Sequence, residues 1–155
     1  GSQYLKIVHG IKAGPCPHID LQEETAHQQF VLEMIRRNSF QSVHDVSEGG
    51  ILINLMESLF KSPSYFVIKL EKPAGINRMD FFFFSEIQSA FMVTVNESQE
   101  ALLLDEAKQK SIPVCLLGEI TTDAKIRLSG EKSFERGPLQ KRWESALEEI
   151  LNRKG

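Results

Sequence analysis

Apolar positions along this chain recur at two spacings, and their alternation predicts interleaved helices and strands. Behind Asp20 as a cap, residues 22–37 place Phe30, Met34 and Ile35 near helical spacing, with acids early and Arg36-Arg37 in the last turn. Asn38 suits the end of that helix. Residues 49–60 carry a wide apolar stripe of Ile51, Leu52, Leu55, Met56 and Leu59 and read as a second helix. A third spans Glu97 to about Lys110, with Ala101, Leu104 and Ala107 expected inward, and a fourth spans Leu139–Leu151 with Trp143, Leu147, Ile150 and Leu151. Strands are expected over Tyr4–Val8, residues 41–46, Tyr65–Leu70, Phe91–Val95, Pro113–Thr121 and Lys125–Leu128. Phe81–Phe84 reads as a short buried strand or an apolar plug. Gly14-Pro15-Cys16-Pro17 and Pro73-Ala-Gly75 punctuate the chain as loop and turn. Glu131–Arg136 reads as a solvated loop, and Lys141-Arg142 opposite Glu144, Glu148 and Glu149 as a charged outer helix face. The expected fold class is α/β: a mixed sheet of about five to six strands packed with about four helices. Residues 1–20 are expected to be a linker or strand from a preceding domain, and 21–155 a single domain.

Length and charge narrow the function classes. At 155 residues the chain can bury a proper core. A hydrophobic content of 41% and a charged content of 25% are those of an ordinary globular protein. The net charge of −3 gives no basic footprint for nucleic acid or an anionic membrane. The apolar runs Ile112–Leu117 and Phe81–Phe84 are far too short to span a bilayer, and no signal peptide is expected. Cys16 and Cys115 lie far apart, which fits free thiols in a reducing cytoplasm, with Cys115 expected in the core.

The candidate chemistry gathers at Ser42-Val-His-Asp-Val-Ser-Glu-Gly-Gly-Ile51, a short strand that turns sharply into a helix. Such a turn exposes backbone N–H groups where the helix dipole favours an anion. Ser47, Gly49 and Gly50 are therefore candidate phosphate- or nucleotide-binding residues: the glycines permit close backbone approach and the serine adds a hydroxyl. The same residues read equally as a cap and a tight strand–helix joint. His44, Asp45, Glu86 and Gln88 are candidate cleft-facing residues. Alternation along a strand sends His44 and Asp45 to opposite faces, and a buried, satisfied histidine stands against a ligand-facing one. His9, His18, His27 and His44 lack metal-ligand spacing, and neither cysteine has an evident base, so no metal ligand and no catalytic residue is assigned.

Several segments, in order, carry a family resemblance: Gly1-Ser-Gln-Tyr-Leu5 with Gly14-Pro15 and Ile19-Asp20-Leu21; Ser42 to Gly50; Phe84-Ser-Glu-Ile-Gln-Ser89 before Phe91–Val95; and Leu117-Gly-Glu-Ile-Thr121. The chain resembles the C-terminal domains of the aminoimidazole ribonucleotide synthetase superfamily, and among them the last domain of the phosphoribosylformylglycinamidine synthases. That resemblance implies a parent carbon–nitrogen ligase of purine biosynthesis. The parent would use ATP and Mg²⁺ to convert formylglycinamide ribonucleotide to its amidine with glutamine-derived ammonia. Its partners would be the remaining synthetase domains and a glutaminase subunit or domain, and the isolated domain could also form a homodimer through its exposed interface.

In that family a matching Glu-Ser-Gln of the partner half contacts the ribonucleotide. Here Ile87 replaces the serine, and Ala90 stands where the family often has arginine. The first half's copy carries Asp-x-Gly-Ala-Ala-Gly; this chain has Asp45-Val-Ser-Glu-Gly-Gly50, so the resemblance implies the second half's copy, structural or auxiliary nucleotide-binding and inactive alone. Two alternatives remain: a free-standing small-molecule-binding or interaction module using Phe81–Phe84, or another member of the same superfamily.

Overall fold

The computed structural model describes residues 2–62, 65–68, 78–122, 125–127 and 133–152. The expected turn at Pro73–Gly75 lies outside the described residues. The chain divides into two compact units, Gly1–Met56 with Gly75–Cys115, and Glu57–Ala74 with Leu116–Gly155.

The first unit opens with α1 (Gln3–His9), where a strand was expected. Local signals make the helix. Ser2 Oγ accepts the Leu5 N–H at the start, and Gly10 closes the end at φ 67°, with the Ile11 N–H bonded to the Leu5 carbonyl. Helix α2 (Leu21–Arg36) begins where the pattern placed it: Asp20 Oδ1 accepts the N–H groups of Gln22 and Glu23. Asn38 follows its end at φ 55°, a conformation asparagine tolerates better than most residues. Strand β1 (Ser42–Asp45) pairs antiparallel with β3 (Phe91–Thr94), Ser42 opposite Thr94 and Asp45 opposite Phe91. Helix α3 (Gly50–Phe60) leaves the turn after β1.

Helix α5 (Glu97–Gln109) packs on α2 through Leu103 and Ala107, which join Phe30 and Met34 in the buried cluster, with Phe40, Val95 and Ile112 against it. The inward face is therefore rotated from the expected one: Ala107 is inside, but Ala101 and Leu104 are exposed. Arg37 and Lys110 reach across to Glu106 and Glu33 along the rim of this pair. The Lys110 ammonium beside it is the main reason the Glu33 carboxyl titrates below its ordinary value, with Arg37 adding to it.

The phenylalanine run is neither strand nor plug. It forms the short helix α4 (Met79–Phe83), which points the rings in different directions. Phe83 is buried, whereas Phe81 is exposed beneath the Arg78 guanidinium, 4.0 Å from its ring centroid. Cys115, expected in the core, is exposed, because residues 113–117 form no strand and bury little; crowding nonetheless pushes its thiol up.

The second unit holds a four-stranded sheet in the order β4–β2–β5–β6: β4 (Gly118–Thr121), β2 (Tyr65–Ile68), β5 (Lys125–Arg127) and β6 (Ser133–Glu135). Strand β2 pairs antiparallel with β4 and parallel with β5, so the sheet is mixed. The α/β class thus holds, with the described strands divided between a pair and a sheet of four and with α1 and α4 as helices beyond the four expected. The 131–136 segment is not a loop throughout: β6 occupies its middle, and α6 (Arg136–Asn152) starts one turn before Leu139. Arg136 and Gln140 on α6 donate to the Phe60 carbonyl at 3.0 and 3.3 Å, satisfying an acceptor that the end of α3 leaves open. The Trp143 ring lies 5.6 Å from that of Phe60.

Candidate functional site

The strand–turn–helix segment is built as a joint. After β1, the Val46 N–H bonds to the Ala90 carbonyl and keeps the chain beside the β3 side of the pair. The Ser47 carbonyl then accepts the Gly50 N–H at 3.1 Å and closes the turn. Gly49 and Gly50 both sit at positive φ, 82° and 75°. Only glycine occupies that region without strain. Gly50 has a second reason. A Cβ there would lie 2.7 Å from the Phe83 carbonyl oxygen, 2.7 Å from the Phe84 carbonyl carbon and 2.8 Å from the Phe84 Cα. The first residue of α3 is therefore pressed against the backbone that ends α4.

The donor at Gly49 is already in use. Its N–H bonds to Glu86 Oε1 at 2.9 Å, and the same oxygen accepts the Gln3 N–H at 3.0 Å. One half-buried carboxylate thus ties together the turn, the start of α1 and the 85–90 loop. Charged acceptors on backbone N–H groups are among the stronger hydrogen bonds. Glu86 and Gly49, which the sequence put on separate candidate lists, meet at one atom.

His44 and Asp45 also meet, through a residue the sequence reading missed. Asn54, on α3, is 2% exposed. Its Nδ2 lies 2.5 Å from the Asp45 carbonyl oxygen and 2.6 Å from His44 Nδ1, while His44 Nδ1 is 2.7 Å from that same carbonyl. The His44 side chain is 44% exposed and that of Asp45 76%, so the buried-histidine expectation does not hold. His44 is satisfied at Nδ1 and open elsewhere. The signal for Asn54 was present: one amide interrupting Ile51-Leu-Ile-Asn-Leu-Met56. A buried amide costs free energy unless its hydrogens are used.

A third cluster anchors α1. Tyr4 Oη donates to Asp80 Oδ2 at 2.7 Å, and Arg78 reaches both Asp80 oxygens at 3.1 and 2.5 Å. The Tyr4 ring stacks on Phe84 at 4.8 Å and meets His9 edge-on at 5.3 Å. Arg78 and then Tyr4 hold the Asp80 carboxyl well below the usual carboxylate range. The bond to Asp80 in turn pushes the Tyr4 phenol above its ordinary value.

Ser47 and Gln88 are exposed. Among the described residues, no three histidine, cysteine or carboxylate side chains converge as a metal site would require. No described helix is long and apolar enough to cross a membrane.

Known proteins resemble this chain in sequence and in fold. The subunit PurL of phosphoribosylformylglycinamidine synthase from Methanopyrus kandleri is 33% identical over 150 residues, 95% of this chain and 20% of that protein. Among solved structures, Thermotoga maritima PurL complexed with FGAR superposes with a TM-score of 0.71 at 17% identity, over 85% of this chain and 23% of that one. The same protein complexed with ATP gives 0.62 at 16% identity, over 74% of this chain and 21% of that one. The chain therefore spans about a fifth of the length of the curated relative. The family described as AIR synthase related protein, C-terminal domain, matches residues 1–131, and the chain belongs to that family.

Proposed function

We propose that this chain serves as the second-half, C-terminal domain of a phosphoribosylformylglycinamidine synthase and supplies structure rather than ligation chemistry. The parent would convert formylglycinamide ribonucleotide to the amidine, with ATP, Mg²⁺ and glutamine-derived ammonia, in the cytoplasm. Residues 21–155 would be the domain proper, with 1–20 leading in from a preceding one. Family membership and the relative's printed name support the parent; the role of this piece rests on one observation. The Gly49 N–H, the donor that a phosphate would use, is filled by the Glu86 carboxylate, while the Gly50 backbone is packed against Phe83 and Phe84. Ser47, Gly49 and Gly50 accordingly act as a joint, and Glu86 as its tie. His44 and Asp45 are the polar groups left facing outward.

Bound nucleotide and Mg²⁺ would then be held mainly by the other synthetase domains, a division that the filled Gly49 donor supports. Ile7, Val8 and Ile11, exposed along one stretch at α1, suit burial against those domains or against a second copy of this chain. The purified chain, given ribonucleotide, Mg·ATP and ammonium, is expected to form no amidine; turnover by the chain alone would overturn the scaffold reading. Turnover that returns only when the remaining synthetase domains are added would support it.

A further inference from the structure

We propose that α1 is a releasable strap that sets the order of the β1–α3 turn, because it rests on the same two residues that support the turn's glycines. The inference goes beyond the scaffold reading and does not depend on it, since it concerns how one helix is held and not what the turn binds.

The two residues are Phe84 and Glu86. Gly50 lies so close to the Phe84 main chain that a Cβ there would be 2.8 Å from the Phe84 Cα. The Gly49 N–H bonds to Glu86 Oε1 at 2.9 Å. On α1, the Tyr4 ring stacks on the Phe84 ring at 4.8 Å, and the Gln3 N–H bonds to the same Glu86 oxygen at 3.0 Å. A glutamate side chain has several rotatable bonds, and here two main-chain donors on separate segments fix where it ends.

Helix α1 is itself lightly held. It has seven residues, none of them buried. A helix that short is marginal in water by itself, so α1 is helical because it is docked. Beyond its own ends, its hydrogen bonds and ring contacts among the described residues all fall within residues 78–86. Residues 10–20, which follow it, are exposed and form neither helix nor strand. Docking and folding of α1 are therefore one event, and that event completes the support of the turn. On release, the Phe84 ring loses its stacking partner and Glu86 Oε1 keeps one main-chain donor of its two, so the Gly49 bond faces competition from water. The coupling is reciprocal: a loosened turn weakens the seat of α1.

Two substitutions test the strap. Gln3→Pro removes the donated N–H with little else, because Gln3 is the first residue of α1, where proline is tolerated, and Ser2 before it is extended at ψ 164°. Tyr4→Ala removes the ring from Phe84 and the bond to Asp80, yet Tyr4 bonds to neither Glu86 nor Gly49. In both variants, exchange of the Gly49 amide with water, followed by NMR, should rise about tenfold, the factor that a hydrogen bond to a charged group represents. The Leu103 and Ala107 amides of the α2–α5 cluster should keep their wild-type rates. A Gly49 rate that is unchanged or lowered in either folded variant would overturn the proposal. The wild-type chain supplies a test that needs no variant: in urea too dilute to unfold the cluster, the Gln3 and Gly49 amides should lose protection together. A Gly49 amide that exchanges only when Leu103 and Ala107 do would overturn the proposal, even if neither variant folded.

Discussion

Adding one methyl group at Gly50 should cost far more than adding it at Gly49, although both glycines sit at positive φ. Each substitution by alanine forces a non-glycine residue into the left-handed region, at about 1–2 kcal/mol. Alanine also narrows the unfolded ensemble, which returns about 0.4–1 kcal/mol in both cases. The difference lies in what the new Cβ meets. At Gly49 it would be 2.7 Å from Ile53 Cγ1, which can rotate away on an exposed side chain, and 2.9 Å from Ile53 Cβ, which rotation leaves in place and which moves only with a small shift of the first turn of α3. At Gly50 it would be within 2.7–2.8 Å of three main-chain atoms of Phe83 and Phe84, and main chain cannot turn away. Relief requires the start of α3 to part from the end of α4. Overpacking of that kind adds about 1–3 kcal/mol.

The net expectation is about 1–2 kcal/mol for Gly49→Ala and about 3 kcal/mol for Gly50→Ala. At a urea slope of about 2 kcal/mol per M, the two midpoints should differ by about 0.5–1 M. Unfolding followed by far-UV circular dichroism reads the helices of both units, so the first unit's transition is the part of that signal that Trp143 does not follow. Trp143 fluorescence reads the second unit separately. Gly50→Ala no less stable than Gly49→Ala would refute the close approach between α3 and α4.

Other expectations follow from the same contacts. Asp80→Asn should lower the Tyr4 phenol toward its ordinary value of about 10, because the bond to Asp80 is the main cause of the rise; a Tyr4 ring titration by NMR would show it. The Asp80 anchor has a depressed carboxyl, so its contribution is present above the ordinary value of about 4 and fades as pH falls through the lower folded value; Tyr4 contributes below about 10 and fades as pH rises through its raised value. Loss of the Tyr4–Phe84 nuclear Overhauser contacts in acid, with the α2–α5 cluster still intact, would mark that release of α1. Met34→Ala removes a fully buried side chain from that cluster and should cost about 2–4 kcal/mol in thermal or urea unfolding; a loss below about 1 kcal/mol would mean the site is looser than its burial implies.

The chain's pattern spoke clearly where local chemistry and burial agreed. Asp20 capped α2 as expected, the 49–60 stripe became α3, and the β1 and β3 segments paired. Misreadings arose where three-dimensional neighbours decided. Tyr4–Val8 looks like a strand by composition, yet Ser2 and Gly10 mark a helix and Tyr4 finds Asp80 and Phe84, partners some eighty residues away. Four phenylalanines favour a strand by propensity, but Arg78 and Tyr4 each took one ring and the backbone wound into α4. On α5, Leu103 and Leu104 are equal in hydrophobicity, and only contact with Phe30 and Met34 chose between them.

At the site, the sequence singled out the β1–α3 turn and Glu86 separately, and the structure brings the two together at the Gly49 N–H. The sequence could not tell that the glutamate would fill the turn, because that is a fact of distance. It also passed over Asn54, whose oddity in an apolar stripe was visible and whose purpose was not.

The occupancy of the Gly49 donor is the point on which the account rests, and a phosphate titration of the labelled chain tests it. With Mg·ADP or inorganic phosphate at millimolar concentration, the Gly49 and Gln3 amide resonances should stay in place while Glu86 holds them, and Glu86→Ala should move both without any ligand. A saturable shift confined to residues 47–51 in the wild-type chain would contradict the account and make the turn a working phosphate site.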